Sequence, residues 1–499
     1  MPNFYITTTL PYVNDRPHIG HVLEFVQADA IARWRRLNGD RVIFNTGTDE
    51  HGQKVHAKAM EAGIDPQAYC DGLVEHFRGL KQAFGLSYTN FIRTTDEHHV
   101  QAAQEFWRRC AANGDIYKTR YETRYCVGCE LEKTDSELVD GRCPVHPNLE
   151  IELRNEENYF FRWSKYGEAL LNHYSAHPDF VVPATRLKEI ESFVKGGLRD
   201  FSISRLASKM PWGIPVPGDG EHVMYVWFDA LVNYISTLGW PEDKSDFAEF
   251  WPGVQVAGKD NLRQQSAMWQ AMLLSAGLPM SRQVFIHGFI TADGQKMSKS
   301  LGNVVDPLAL VREYGTDPVR YYLLGGLPSY EDGDYSERQF EEFYGSHLAN
   351  GIGNLTARIA TMVGKYCDGK VPERTGDRFD TPKMREEYEA ALSAYRFDEA
   401  VRTVSRYVTS INQAIDTEAP FRKAKEGIDV SPLMYQLSEA LRQVGIALLP
   451  LIPDTATKIL RQLNVEPASV SLPVAGNWGG LASGDPVVRG DILFPRLEK

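Results

Sequence analysis

Residues 3–37 read NFYITTTLPYVNDRPHIGHVLEFVQADAIARWRRL, and this stretch decides the fold class. Its start alternates in hydrophobicity, which predicts a strand over residues 4–8, and apolar residues then recur at helical spacing up to Leu37. The same order follows with a strand at 42–44 and a helix that Asp65 opens as its cap. Strand, loop and helix in repetition predict a parallel α/β sheet, whose ligands bind at the carboxyl ends of its strands.

The rest of the chain divides by its sequence patterns. Cysteines, turns and short strand patterns over about 117–210 are typical of an insertion. The α/β pattern then returns, because apolar segments at 225–228, 254–257 and 284–287 predict buried strands that end at polar loops. Long periodic segments from about 339 to 463 predict a helix bundle.

Length, charge and cysteine usage limit the class of protein. The 499 residues, with 54 basic and 66 acidic side chains and a net charge of −12, describe a globular protein of several domains. This balance argues against a general coat for nucleic acid but allows a local basic face. No uncharged apolar run reaches the ~18 residues of a membrane span, and the start lacks the features of a secretory signal. Three of the cysteines cluster with a histidine, which favours metal binding over disulfides. Together with the lack of a membrane span and of a secretory signal, this predicts a cytoplasmic protein without a membrane partner.

Two short motifs have the chemistry of phosphate binding. His18-Ile19-Gly20-His21 stands at a predicted helix start, where backbone N–H groups and two imidazoles can donate to phosphate oxygens. Gly20 lacks a Cβ, so a base or ribose can approach the backbone there. Lys296-Met297-Ser298-Lys299-Ser300 supplies two cations in a glycine-flanked loop, which suits a polyphosphate whose charge grows in a transition state. Each motif alone also fits a solvated loop, but their joint presence favours a nucleotide.

Four residues have the spacing of a metal site. Cys126-x-x-Cys129 and Cys143-x-x-His146 can deliver three thiolates and one imidazole to a tetrahedral Zn²⁺. A closed set of four ligands leaves no position for water, so the pattern predicts one structural zinc ion. A catalytic zinc that binds a substrate thiol is the competing interpretation, and the position of the ligands inside the insertion argues against it.

The two phosphate motifs, in this order and about 280 residues apart, are the hallmark of class I aminoacyl-tRNA synthetases. Over essentially its whole length the sequence resembles the methionyl-tRNA synthetases, with matching segments at 9–14, 47–52, 225–230 and 258–260. The resemblance implies that L-methionine and ATP form methionyl-adenylate, that Mg²⁺ accompanies ATP, and that the methionyl group then passes to tRNA(Met).

The resemblance also assigns residues to these steps. It implies that the negative charge that develops on the phosphates is stabilised by His18, His21, Lys296 and Lys299. The residues implied for ATP are Asn14, Gly20, His21, Gly258, Asp260 and Lys299, with Asp260 on the ribose. The residues implied for methionine are Leu10, Tyr12, Asp49, Trp227, Ala230, Tyr234 and Gln265, with Asp49 on the ammonium group. The residues implied for the anticodon are Asn354, Arg358 and Phe421, where Phe421 stands in place of a tryptophan that stacks on a base.

The implied architecture is a Rossmann-like parallel sheet, split by a zinc-knuckle insertion and followed by an all-α helix bundle that binds the anticodon. The expected boundaries are 1–116 and 220–292 for the two halves of the catalytic domain, 117–219 for the insertion, 293–345 for the KMSKS loop and stem-contact region, and 346–499 for the bundle. No appended tRNA-binding domain follows the bundle, which by family analogy predicts a monomer.

The chain departs from the family at the wall of the methionine site. Asn261 stands where the family has isoleucine, Gln264-Gln265 stand where it has a Phe-His pair, and Leu231 stands where proline is common. These changes alter the polarity of the pocket and bear on its selectivity. Methionine remains the expected substrate.

Three alternatives stay open from the sequence. They are a class I synthetase for another amino acid, a non-catalytic tRNA-binding relative, and a small-molecule adenylyltransferase of the same superfamily. The chain length has no room for the long editing insertions of the large aliphatic-specific enzymes. Both phosphate motifs are intact, which argues against a relative that has lost catalysis. A helix bundle and a zinc insertion are unneeded additions for a small-molecule adenylyltransferase.

Overall fold

The computed structural model describes residues 1–129, 131–133, 135–242, 245–297, 303–472 and 476–497. The strands are β1 (Asn3–Thr8), β2 (Arg41–Thr48), β3 (Asn90–Arg93), β4 (Ile116–Cys126), β5 (Leu131–Lys133), β6 (Glu152–Phe161), β7 (Val181–Val182), β8 (Phe201–Ser202), β9 (Ser204–Leu206), β10 (Pro215–Val216), β11 (Asp219–Met224), β12 (Val254–Gly258), β13 (Gln283–His287), β14 (Ile290–Ala292), β15 (Gln295–Lys296) and β16 (Gly333–Tyr335). The helices are α1 (Ile19–Leu37), α2 (Gln53–Ala62), α3 (Pro66–Ala83), α4 (Glu97–Ala112), α5 (Gly167–Ala176), α6 (Ala184–Lys195), α7 (Val226–Ala230), α8 (Asn233–Ser236), α9 (Ser245–Phe250), α10 (Trp269–Ser275), α11 (Pro307–Tyr314), α12 (Thr316–Gly325), α13 (Glu337–Phe343), α14 (Asn354–Tyr366), α15 (Thr381–Ser393), α16 (Phe397–Glu418), α17 (Pro420–Lys425), α18 (Ser431–Leu448) and α19 (Pro453–Gln462). Among these described helices, none is both long and apolar enough to cross a bilayer.

A six-stranded parallel sheet carries the candidate site. Its strand order is β3-β2-β1-β12-β13-β7, and β1 pairs with β2 on one side and with β12 on the other. The chain builds outward from β1 through β2 and β3, and later builds in the opposite direction through β12 and β13. The direction therefore reverses between β1 and β12, which is where open α/β sheets bind their ligands. The predicted fold class is confirmed.

The two faces of the sheet bury separate apolar clusters. Along β1, Phe4 and Ile6 face one cluster and Tyr5 faces the other, as the two-residue period of a strand requires. The first cluster is shared with α1 and the C-terminal helices, and the second with α4, α10 and part of the insertion. Because α1 is buried along most of its length, its N-terminus is held firmly beside the carboxyl end of β1.

The insertion is built on a long antiparallel pair of strands, β4 and β6. Its register runs from Ile116 opposite Phe161 to Tyr125 opposite Glu152. Phe161 packs in the second apolar cluster, so this end of the pair joins the catalytic core. The other end of β4 is Cys126, so the pair carries the predicted metal ligands at its tip.

A buried ion pair joins the C-terminal helices to α1. The guanidinium of Arg320, on α12, is fully buried and lies 2.8 Å from Asp29 Oδ2 on α1. It also donates to the carbonyl oxygens of Leu451 and Phe84, both at 2.9 Å. These partners meet the need of a buried charge for pairing and hydrogen bonds. The contact links the helix of the first phosphate motif to the loop before α19.

One predicted strand is wrong. The aromatic and β-branched run at 225–228 favours a strand, but β11 ends at Met224 and Val226–Ala230 form helix α7. The helical turn directs Asp229 inward, where its fully buried carboxylate bonds to two histidines. Strand propensity spans only about 1 kcal/mol, less than the roughly 1–3 kcal/mol or more of an unsatisfied buried charge.

The segment at the start of the second phosphate motif is a hairpin. β14 and β15 pair antiparallel around Asp293 and Gly294, whose φ angles are 49° and 72°. Two positive φ angles are typical of a type I′ turn, for which Asp-Gly is a preferred sequence. Lys296 therefore lies on a strand, and the expectation of a loop is wrong at this residue. Residues 298–302, which include Ser298, Lys299 and Ser300, lie outside the described residues.

Candidate active site

The two histidines of the first phosphate motif stack at the N-terminus of α1. His18 caps the helix, and its ring centroid lies 3.8 Å from that of His21. His18 Nδ1 accepts the N–H of Gly20 at 3.1 Å, and His21 Nδ1 accepts the N–H of His18 at 3.3 Å. This reciprocal cap uses Nδ1 of each ring as an acceptor, so a neutral ring carries its hydrogen on Nε2 and donates from there.

The surroundings favour the neutral form of both rings. His18 is exposed at the surface, and the desolvating effect of the protein atoms around its ring lowers its pKa. The pKa of His21 is lowered further, because its ring is more withdrawn from water and has His18 beside it. Neutral imidazoles bind an anion as hydrogen-bond donors, and the positive end of the helix dipole adds to the attraction. The pair is thus suited to phosphate oxygens.

The end of β12 lies beside the end of β1 in the sheet, and the space between it and the N-terminus of α1 is called the cleft. The strand ends at Gly258, and the 3₁₀ turn Lys259–Asn261 carries Asp260. A Cβ on Gly258 would come within 2.9 Å of Asp260 Oδ1, so glycine leaves space beside this carboxylate. Asn261 Nδ2 donates to Asp260 Oδ1 at 3.3 Å. The asparagine that departs from the family pattern therefore helps to orient Asp260.

An aromatic pocket adjoins the loop between β1 and α1. Tyr12 and Trp227 meet edge to face, with ring centroids 6.2 Å apart. Tyr12 also pairs with Asp49 through a parallel β-bridge, and the carboxylate-bearing Asp49 is 2 % exposed. The buried indole Nε1 of Trp227 has no hydrogen-bond partner among the described residues. A buried carboxylate beside an aromatic wall suits an amino acid with an ammonium group and an apolar side chain.

Buried amides lie behind this pocket. Gln265, in the π-helical segment Gln264–Met268, accepts through Oε1 from Gln255 Nε2 at 2.8 Å. Gln270 Nε2 donates to the backbone oxygen of Gln265 at 2.7 Å. Burial raises the pKa of the Tyr234 hydroxyl, and a hydrogen bond with Gln265 partly offsets this effect. The glutamine that replaces the family histidine is thus held by a connected polar network.

A buried carboxylate that the sequence did not single out joins the two sides of the pocket. Asp229 Oδ2 lies 2.7 Å from His51 Nδ1, and Asp229 Oδ1 lies 2.8 Å from His99 Nε2. Burial opposes the charge, but the two histidines hold the pKa of Asp229 below its usual value. His51 follows Asp49 by two residues and Asp229 follows Trp227 by two. The contact between His51 and Asp229 therefore fixes the segment of Asp49 relative to the segment of Trp227. Because a strand was predicted at 225–228, the contact of Asp229 with His51 and His99 was not expected.

Glu50, the residue directly after Asp49, is also anchored. Its fully buried carboxylate pairs with Arg93 through two hydrogen bonds of 2.7 and 2.8 Å. Its backbone oxygen accepts from the indole of Trp212 at 2.6 Å. The two residues that follow Asp49, Glu50 and His51, are therefore both fixed, which preorganises Asp49 for a cationic group.

The four predicted metal ligands come together beyond the end of β4. One ligand atom from each of Cys126, Cys129, Cys143 and His146 lies within 4.8 Å of the others. Cys129 Sγ lies 3.5 Å from Cys143 Sγ and 3.3 Å from His146 Nδ1. Such separations fit atoms that share one tetrahedral ion at about 2.3 Å from each sulfur. A Cβ on Gly128 would lie 2.5 Å from the His146 ring, so this turn requires glycine.

The comparisons with known proteins agree on one family. The family described as "tRNA synthetases class I (M)" matches residues 4–152 and 147–360. A methionine--tRNA ligase of Thermosynechococcus vestitus is 42% identical over 99% of this chain and 98% of that protein, and one of Thermotoga maritima is 41% identical over 99% of this chain and 80% of that protein. The chain belongs to the methionyl-tRNA synthetases. A Mycobacterium tuberculosis methionyl-tRNA synthetase, solved in complex with methionyl-adenylate, superposes with a TM-score of 0.93 at 38% identity over 99% of this chain and 100% of that one.

The family resemblance drawn from the sequence is thereby confirmed. In this methionyl-tRNA synthetase the structure gathers the residues predicted for ATP and methionine around one sheet edge, as far as it describes them. Asn14 lies in the loop between β1 and α1, where its carbonyl oxygen accepts from the hydroxyl of Tyr69 at 3.1 Å. Leu10 lies in the same loop, and Ala230 ends α7. Lys299 is outside the described residues, so its role stays a prediction.

The residues predicted for the anticodon lie on adjoining helices of the bundle. Asn354 begins α14, and Arg358 one turn later pairs with Asp416 Oδ1 at 2.5 Å. Asp416 lies in the last turn of α16, directly before α17 begins with Pro420 and Phe421. The Phe421 ring is 49 % exposed. Its surface is open to a stacking partner, and the roles of these three residues stay predictions.

Proposed function

We propose that this methionyl-tRNA synthetase ligates L-methionine to tRNA(Met) in two steps at the junction of β1 and β12. In the first step, the methionine carboxylate attacks the α-phosphate of ATP in line and pyrophosphate leaves. In the second, a ribose hydroxyl of the terminal adenosine of tRNA attacks the adenylate carbonyl and AMP leaves. Neither step needs a protein nucleophile, because positioning and charge stabilisation supply the catalysis. The observation that carries the proposal is that the histidine pair and the Asp49–Trp227 pocket flank one topological switch point.

The proposed nucleotide contacts follow from the donors on the cleft. His18 and His21 donate Nε2–H to the phosphates, and Lys296 and Lys299 add positive charge as pyrophosphate forms. Gly20 and Gly258 allow the base and ribose to approach the backbone, with Asp260 accepting from a ribose hydroxyl. Asn14 contacts ATP from the loop after β1. Mg²⁺ accompanies the triphosphate as part of the substrate.

The proposed methionine contacts use both sides of the aromatic pocket. Asp49 binds the ammonium group, supported by its burial and by the fixed positions of its neighbours. The side chain of the substrate packs among Leu10, Tyr12, Trp227, Ala230 and Tyr234, and Gln265 closes the floor. The amide of Gln265 is fixed by its hydrogen bonds. It is a polar group that does not titrate, and it faces the thioether of the substrate.

The experiment that tests the function is ATP–pyrophosphate exchange with a panel of amino acids. We expect methionine to have the highest kcat/KM, with leucine, norleucine and homocysteine at least about tenfold lower, since one methylene difference is worth roughly 1–3 kcal/mol. Exchange that is faster with leucine would assign the chain to another amino acid. Absence of exchange with every amino acid, together with retained tRNA binding, would favour the non-catalytic alternative.

We further propose that the cluster of Cys126, Cys129, Cys143 and His146 holds one structural Zn²⁺ that orders the tip of the insertion. We expect Cys143→Ser to abolish zinc retention, because removing one of four ligands opens a closed site whose metal affinity amounts to about 10–16 kcal/mol in small domains. Metal content after dialysis, measured by mass spectrometry, checks the loss. Cys367→Ser is the matched control, because Cys367 is partly buried in the helical region and outside the cluster. A Cys143→Ser protein that keeps zinc at the parental level would contradict the assignment.

The remaining proposals concern the oligomeric state, the cellular location and the macromolecular partner of the protein. We propose that the chain acts as a monomer in the cytoplasm, with tRNA(Met) as its macromolecular partner. The exposed Phe421 ring and the neighbouring Arg358 support a tRNA contact on the bundle.

A further inference from the structure

A buried histidine–carboxylate pair lies at the nucleotide side of the sheet. His287, the last residue of β13, is 5 % exposed, and Glu24 on α1 is 6 % exposed. His287 Nε2 lies 3.1 Å from Glu24 Oε2, while His287 Nδ1 lies 2.8 Å from the carbonyl oxygen of Gly288. The other carboxylate oxygen, Glu24 Oε1, accepts from the N–H and the hydroxyl of Thr9 at 2.7 and 2.6 Å.

The hydrogen bonds define the charge of this pair. A neutral imidazole donates from one nitrogen only, whereas both nitrogens of His287 face acceptors. An imidazolium satisfies both contacts, and it offsets the carboxylate of Glu24. Burial by itself would lower the pKa of His287, but the hydrogen bond and charge of Glu24 outweigh burial, so the pKa is raised above 6.5. Asp260, in the turn after β12, adds to the increase.

The pair connects three segments that border the cleft. Gly258 and His287 are opposite each other in the β12–β13 register. A Cβ on Gly258 would lie 3.7 and 3.9 Å from His287 Cε1 and Nε2, so the ring lies against the turn that carries Asp260. Glu24 lies one turn after His21 on α1, and Thr9 is the first residue of the loop that carries Leu10. One ion pair therefore sets the distance between α1, the end of β1 and the Gly258 turn.

We propose that His287, held as an imidazolium by Glu24, is a positioning residue for ATP. This inference rests on the proposed site of methionine activation. It keeps the histidine end of α1 at the correct distance from the Gly258 turn. The pair lies on the β12–β13 side of β1. On the other side, Glu50 and Asp229, close in sequence to Asp49 and Trp227, are held by contacts with Arg93, His51 and His99. Loss of the ion pair therefore weakens use of ATP and leaves methionine binding intact.

The kinetic test uses two variants that preserve shape. In Glu24→Gln the amide oxygen still accepts from Thr9, and a neutral His287 can accept from the new N–H, so the charge is lost without a cavity. In His287→Gln a donor remains toward Glu24 without charge. We expect the KM for ATP in pyrophosphate exchange to rise about tenfold in both near pH 7, which corresponds to about 1.4 kcal/mol of binding free energy. The Kd for methionine without ATP, from tryptophan fluorescence, is expected to stay within about twofold of the parent.

The pH profile distinguishes positioning by charge from a merely structural role. A group with a raised pKa contributes below its ordinary pKa and loses its contribution as the pH rises through the raised value. We expect the KM for ATP of the parent to rise with pH through that range, and that of Glu24→Gln to stay flat. His222→Gln is the matched control, because His222, on β11, is 2 % exposed and lies between Asp219 Oδ2 and the Glu157 carbonyl oxygen. Its KM for ATP is expected to match the parent. Equal losses for ATP and methionine, or parallel pH profiles in parent and Glu24→Gln, would overturn the proposal.

A spectroscopic test needs no activity. In protein labelled with ¹⁵N-histidine, the His287 signals are those absent from His287→Gln, and we expect both ring nitrogens to be protonated at pH 7. A neutral tautomer there would overturn the inference even if exchange with methionine is normal. The opposite outcome is a protonated His287 in a protein that activates no amino acid. That result would contradict the proposed function but would leave the ion pair between His287 and Glu24 supported.

Discussion

Replacement of His18 by asparagine is expected to slow methionyl-adenylate formation by about 10²–10³-fold, the usual cost of losing one preorganised donor to a transition-state oxyanion. Asparagine is among the best N-cap residues, so its side chain can still accept from the N–H of Gly20. It lacks the Nε2–H that the imidazole of His18 directs away from the cap. The substitution therefore separates the chemical role of His18 from its role in capping α1.

Single-turnover formation of methionyl-adenylate checks the rate, and thermal unfolding checks the cap. His18→Ala is the comparison, since it loses the same donor and also about 1 kcal/mol of cap stabilisation. We expect both variants to be equally slow and only His18→Ala to melt earlier. His21→Gln should likewise retain its N–H acceptor and lose rate. Parental rates in His18→Asn would remove the histidine pair from the mechanism.

Replacement of Phe421 by alanine is expected to lower kcat/KM for tRNA in aminoacylation by about tenfold to a hundredfold, since stacking of one base on an aromatic ring is worth roughly 1–3 kcal/mol. Phe421 lies at the start of α17, half exposed and near the Arg358–Asp416 pair. Phe421 lies on α17, outside the strands and loops where ATP and methionine are proposed to react. Pyrophosphate exchange without tRNA should therefore stay at the parental rate.

Aminoacylation with varied tRNA and exchange without tRNA are measured on the same preparations. Ile428→Ala is the matched control, because Ile428 is also 49 % exposed and lies between α17 and α18. It removes a similar apolar surface from the same region without removing an aromatic face. Equal losses in Phe421→Ala and Ile428→Ala, or a parallel loss of exchange, would refute stacking on Phe421.

Local signals explain which parts of the site could be predicted. The histidine motif stands at a helix N-terminus because His18 and His21 cap the helix themselves, a feature encoded within four residues. The metal cluster needs two tight turns, and the ligand spacing within each turn is visible in the sequence. The Asp293-Gly294 turn of the β14–β15 hairpin is a local signal as well, but the prediction assigned the lysine motif after it to a loop.

Contacts between distant residues explain what could not be predicted. Asp229 and His51 are separated by 178 residues, and His287 and Glu24 by 263. Neither spacing has a periodic or turn signal, because the partners meet only when the sheet assembles. The helix at Val226–Ala230 follows from one of these contacts, so its local preference for a strand misled the prediction.

The sequence by itself determined the parallel α/β class, the two phosphate motifs and the four metal ligands, because strand and helix periods, caps and turn spacings act over a few residues. The tertiary structure alone decided which carboxylates become buried and charged beside histidines and arginines. Burial makes an unpaired charge costly, so the assembled fold selects the pairs Asp229 with His51 and His99, and Glu24 with His287. Those pairs exist only once strands from opposite ends of the chain share one sheet.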